Sequence, residues 1–121
     1  MKSLTERFGT PDPACCLVCR RHAMAIGTMK SKKPPILWVC DDPICIANCQ
    51  KVANMGQKQL DAYERKARRI ASEEAGEYLD QIGKTDLAKL TETEWVTFNE
   101  KIILGFERAM RDVIASGEAP F

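Results

Sequence analysis

No apolar run in this sequence approaches the roughly 20 residues needed to cross a bilayer, which excludes a helical membrane protein. The first ten residues carry charges but no apolar core, so no secretory signal is expected there. A chain that is not exported meets a reducing cytoplasm, where cysteines serve metals more often than disulfides. Histidine is nearly missing: His22 stands alone. That scarcity argues against Ser–His and Cys–His nucleophilic arrangements, and against nuclease sites that gather several histidines around a metal. There is no glycine-rich phosphate loop, no internal repeat and no low-complexity tract. What remains reads as a non-enzymatic protein with no recognisable catalytic set.

What is present is cysteine, six in 121 residues. Cys16 and Cys19 enclose two residues, the spacing that bends a backbone around one cation. Cys40 and Cys45 follow, and the four together can complete a tetrahedral site with metal–sulfur distances of about 2.3 Å, as in structural zinc modules. Cys49 lies one helical turn beyond Cys45 and is the alternate for Cys40 or Cys45. Cys15 and His22 are further alternates, although His22 sits so close to Cys19 that ligation would strain the knuckle. A buried free thiol is the plainer reading for Cys15 and an equal alternative for Cys49, because free cysteine packs as a small apolar residue. A closed site of four thiolates leaves no open position for a reactive water, so the expected cofactor is structural Zn2+.

The chain divides into three parts. Residues 1–14 end in Thr10-Pro11-Asp12-Pro13 and read as a flexible leader. Residues 15–55 read as the zinc module: a knuckle, a β-hairpin over 23–39 with a basic, proline-rich turn, then a helix over 43–54. Asp41 or Asp42 would cap that helix, with Pro43 in its first turn. Residues 56–117 read as helical. One helix is expected over 57–81 with Gly83 as its C-terminal stop, a short turn over 84–90, and a last helix to Ser116. Thr91 and Glu94 form a capping box, and Trp95, Phe98, Ile102, Phe106, Met110 and Val113 share one stripe. Trp95 and Tyr78 are expected as large core residues. The fold class is therefore α+β: a treble-clef-like zinc module followed by a helical hairpin or small bundle, in one compact unit.

The net charge of +1 hides an asymmetry: residues 1–70 balance to +7 and residues 71–121 to −6. Arg20, Arg21, Lys30, Lys32 and Lys33 surround the knuckle and hairpin tip. They either compensate the negative charge of a metal–thiolate site or contact a partner or nucleic acid, with Trp38 as a stacking platform. Lys58, Arg65, Lys66, Arg68 and Arg69 alternate with acids and read as a solvated helix face. Glu73-Glu74 lies mid-helix, where neighbours do not face each other, so paired acid–base work is not expected there.

The string Gly76-Glu77-Tyr78-Leu79-Asp80-Gln81-Ile82-Gly83-Lys84-Thr85-Asp86-Leu87-Ala88, then Leu90-Thr91 and Glu94-Trp95-Val96-Thr97-Phe98, resembles a small family encoded by phages and prophages of proteobacteria. The resemblance covers about residues 15–110, and members are similar in pairing cysteine knuckles with this acidic helical tail. It implies a zinc-binding accessory protein in the cytoplasm of an infected bacterium, and supplies no reaction. The four residues between Cys40 and Cys45, and the extra Cys15 and Cys49, depart from the family pattern. Two functions follow as expectations: docking on a host or phage protein complex, with inhibition of bacterial defence as one such role, or nucleic-acid binding through the basic half. Oligomeric state stays open.

Overall fold

The computed structural model describes residues 15–21, 26–29 and 36–117. The leader, His22, the basic turn with Lys30, Lys32 and Lys33, and residues 118–121 lie outside the described residues. The described residues are mostly helical.

Two short strands, β1 (Ile26–Met29) and β2 (Ile36–Val39), pair antiparallel with Ile26 opposite Val39 and Met29 opposite Ile36. Isolated two-stranded pairs are marginal in water, so this one needs outside support. Part of it comes from the first cysteine segment, where the Leu17 N–H donates to the Trp38 carbonyl at 2.7 Å.

Helix α1 (Pro43–Ala53) starts where Asp42 accepts a hydrogen bond from the Ile44 N–H at 2.9 Å, with Pro43 already in a helical φ. It ends at Asn54, and Gly56 then precedes α2 (Gln57–Ile82) as an extended N-terminal residue. Gly83 closes α2 in the left-handed region at φ 68°, a conformation glycine adopts without steric penalty. A single 3₁₀ turn (Leu87–Lys89), capped by Asp86, leads into α3 (Glu92–Ser116). The capping box is complete. The Glu94 N–H donates to the Thr91 hydroxyl at 3.2 Å, and the Thr91 N–H donates to the Glu94 carboxylate at 2.9 Å.

Helices α2 and α3 pack as an antiparallel pair through small residues. Ala67, Ala71 and Ala75 recur every fourth position on α2, and all are buried. Opposite them lie Gly105 and Ala109, four apart on α3. A Cβ on Gly105 would sit 3.3 Å from the Ala71 Cα, so the backbones approach closely here. One consequence corrects the sequence reading. Trp95 is not a core residue: it is 47% exposed, with its ring 6.2 Å from that of Phe98, and Tyr78 is only half-buried. A seam of alanine and glycine brings the helices too close for two large rings between them. The large buried side chains are instead Met110 and Ile114 near the end of α3, in one cluster with the cysteines, Val18 and Val39.

Candidate metal centre

Cys16 and Cys19 stand in a tight turn built by the backbone. The Arg20 N–H donates to the Cys16 carbonyl at 3.0 Å, and Arg20 itself takes φ 70°, an uncommon value for a residue with a Cβ. The Cys16 N–H donates to the Arg21 carbonyl at 2.6 Å. This curl turns N–H groups inward: the Val18 N–H points at the Cys16 sulfur at 3.4 Å. Cys40 follows the last residue of β2, and Cys45 occupies the first turn of α1, where free N–H groups and the helix dipole favour a thiolate.

The four sulfurs converge. Among the described residues, Cys16, Cys19, Cys40 and Cys45 place their Sγ atoms within 4.8 Å of one another, and all four residues are 0% exposed. A regular tetrahedron of sulfurs about 2.3 Å from a central ion has edges of about 3.8 Å. The Cys19–Cys40 separation is 3.8 Å. Four buried thiols at this spacing, without a disulfide between them, could hold a metal ion.

The electrostatics of the four thiols point the same way. The Cys16 thiol is drawn down to about 4, first by the hydrogen bond from the Cys19 thiol, with backbone N–H groups adding to it. The Cys19 thiol is pushed up by that same bond and by burial, and burial pushes up Cys45. Cys16 thus gives up its proton more readily than Cys19 or Cys45, because burial and the neighbouring sulfur charge oppose further negative charge in one pocket. A bound cation balances that charge.

Two arginines border the cluster. Arg21 forms an ion pair with Asp41 at 2.7 Å, and its guanidinium is pushed up by hydrogen bonding to the Cys40 sulfur and by that sulfur's charge. From α3, the Arg111 Nε lies 3.5 Å from the Asp42 carboxylate. Burial pulls Arg111 down, but hydrogen bonding to the Cys19 sulfur and the charges of Asp42, Cys19 and Cys45 more than offset it. Arg111 was not legible as a site residue, because nothing local marks it and it lies far along the chain from every cysteine.

The remaining candidates fall elsewhere. Cys49 is half-buried and donates to the Ile46 carbonyl at 3.2 Å, outside the cluster. Cys15 is exposed and also outside it. Arg20 pairs with Glu64 of α2 at 2.9 Å, tying the knuckle to that helix. Trp38 is half-buried, and its carbonyl holds the knuckle in place. Lys58, Arg65, Arg68 and Arg69 are exposed along α2, as a solvated face requires.

Residues 58–121, just over half of the chain, match DUF6511, a family of unknown function. The chain belongs to this family. The DUF6511 match spans nearly all of α2 and the whole of α3, and begins after the last cysteine. Thus the four clustered cysteines lie outside the DUF6511 segment, whereas Arg111, paired with Asp42 in the loop between Cys40 and Cys45, lies inside it. No curated protein and no solved structure matches the chain.

Proposed function

We propose that this protein is a phage-encoded structural-zinc protein that acts without catalysis, by binding a host or phage protein complex in the bacterial cytoplasm. The observation that carries the zinc reading is the closed tetrathiol cluster, with all four residues fully buried. Four thiolates at this spacing suit Zn2+, and a site without solvent access has no room for an activated water, so the ion's work is to fold the segment around it. The knuckle, paired strands and following helix are the parts of a treble-clef-like module.

Protein binding is supported by the apolar side chains that α3 leaves outside. Trp95, Val96, Ile103 and Leu104 are all about half exposed, although each is large and apolar. The basic residues near the knuckle are less available to nucleic acid than their number suggests, since Arg20 and Arg21 are engaged by Glu64 and Asp41. The phage setting rests on the sequence resemblance, and inhibition of bacterial defence on analogy with small phage proteins.

The test is affinity capture from host lysate with the full chain, alongside DNA and RNA binding across a salt series. One defined protein, recovered stoichiometrically, supports this function. Tight nucleic-acid binding that falls steeply with salt, with no specific protein recovered, replaces it with the nucleic-acid reading.

A further inference from the structure

We infer that Arg111 is a positioning residue of the metal centre, so that α3 is part of the site although it supplies no ligand. This rests on the tetrathiolate metal reading above.

The argument starts from Asp42, which lies in the loop between the ligands Cys40 and Cys45. Its two carboxylate oxygens are used in different directions. Oδ1 accepts the Ile44 N–H and starts α1, which fixes Cys45 in the first helical turn. Oδ2 faces the Arg111 Nε at 3.5 Å. Asp42 therefore transmits the position of α3 to the ligand loop. The Arg111 side chain is only 18% exposed, so this pair is shielded from the screening that weakens surface ion pairs.

Charge gives Arg111 a second role. Four thiolates around a divalent ion carry a formal charge of −2, buried among apolar groups such as Val18, Met110 and Ile114. Arg21 and Arg111 border the cluster from the knuckle and from α3, and each guanidinium is shared between a carboxylate, Asp41 or Asp42, and a cysteine sulfur, Cys40 or Cys19. Groups that orient metal ligands from outside commonly change metal affinity by about 10–100-fold when removed.

A purely structural role would look different, and the fold contains its own control. Lys51, at the other end of α1, donates to the Ile114 carbonyl at 2.6 Å. It also fastens α1 to α3, but away from the loop that carries Cys40 and Cys45. Removing Lys51 loosens the same helix contact without touching Asp42.

The experiment titrates the metal-free 121-residue chain with Co2+ and then competes with Zn2+, for the wild type, Arg111→Gln, Arg111→Lys and Lys51→Met. Thermal melting is measured on each. The expected result is a 10–100-fold weaker metal affinity for Arg111→Gln, with a shifted sulfur-to-cobalt charge-transfer band. Arg111→Lys recovers part of the affinity through its charge, but lacks the planar guanidinium. Lys51→Met lowers the melting temperature while keeping the wild-type affinity and band. Wild-type affinity and spectrum in both Arg111 variants would overturn the inference alone. So would equal weakening by Lys51→Met, which would reduce Arg111 to a helix fastener. A wild-type protein that binds neither ion with its thiols would overturn the metal reading and this inference together.

Discussion

The sulfurs of Cys19 and Cys40, 21 residues apart in sequence, stand 3.8 Å apart in the fold. One belongs to a backbone knuckle and the other follows a strand, so an ion held by both would tie the two segments together. Substituting Cys40 should therefore act on folding as well as on metal. Cys40→Ser is expected to lose the tightly held ion and the metal-dependent part of the melting temperature. Circular dichroism with and without a chelator measures this, and the signal of α2 and α3 should persist. Cys49→Ser keeps a donor toward the Ile46 carbonyl and should cost less than about 1 kcal/mol.

The small-residue seam makes a second prediction. Gly105→Leu places a large side chain against Ala71 and Glu74, where even a Cβ is crowded. Overpacking of this kind costs about 1–3 kcal/mol. Gly105→Ala should cost less than Gly105→Leu, because the gain in helix propensity, about 1 kcal/mol, offsets part of the cost of displacing the Glu74 carboxylate and crowding the Ala71 Cα. Urea unfolding at fixed metal content separates the two.

The start of α3 should depend on its cap. Thr91→Ala removes the hydroxyl that receives the Glu94 N–H, at a cost of about 1 kcal/mol. Thr91→Ser, which keeps the acceptor, should retain most of that stability in the same unfolding assay.

Glu94 gives the cap a pH dependence. A hydrogen bond from Lys84, at 2.5 Å, and then the Thr91 N–H hold its carboxyl below the ordinary range. A carboxyl lowered in the folded state stabilises the protein above its unfolded pKa, and that contribution fades as the pH falls through the folded value. The difference in melting temperature between wild type and Glu94→Gln should therefore be largest near neutrality. It should shrink as the pH falls below the ordinary carboxylate range and through the lowered value of the folded state. A difference independent of pH would show that the carboxylate charge contributes nothing.

Much of this architecture could be read from local chemistry. Asp42 before Pro43, Gly83 after Ile82, and Thr91 with Glu94 each mark a helix end through groups within a few residues, so these boundaries were legible. Cys16, Cys19, Cys40 and Cys45, singled out by their spacing, are the four whose sulfurs the fold brings together. Trp95 was misread because hydrophobic periodicity identifies a face without saying which neighbour covers it. The alanine and glycine seam, not the aromatic stripe, sets the approach of α2 to α3. Arg111 escaped for a different reason: its partners Asp42 and Cys19 are brought to it only by tertiary packing.

The most direct test of the account is the metal content, by elemental analysis, of protein purified without added metal, repeated for Cys16→Ser and Cys49→Ser. About one zinc per chain, lost with Cys16→Ser and retained with Cys49→Ser, is the predicted result. No bound metal, or a metal that depends on Cys49 or His22, would contradict the closed four-cysteine centre.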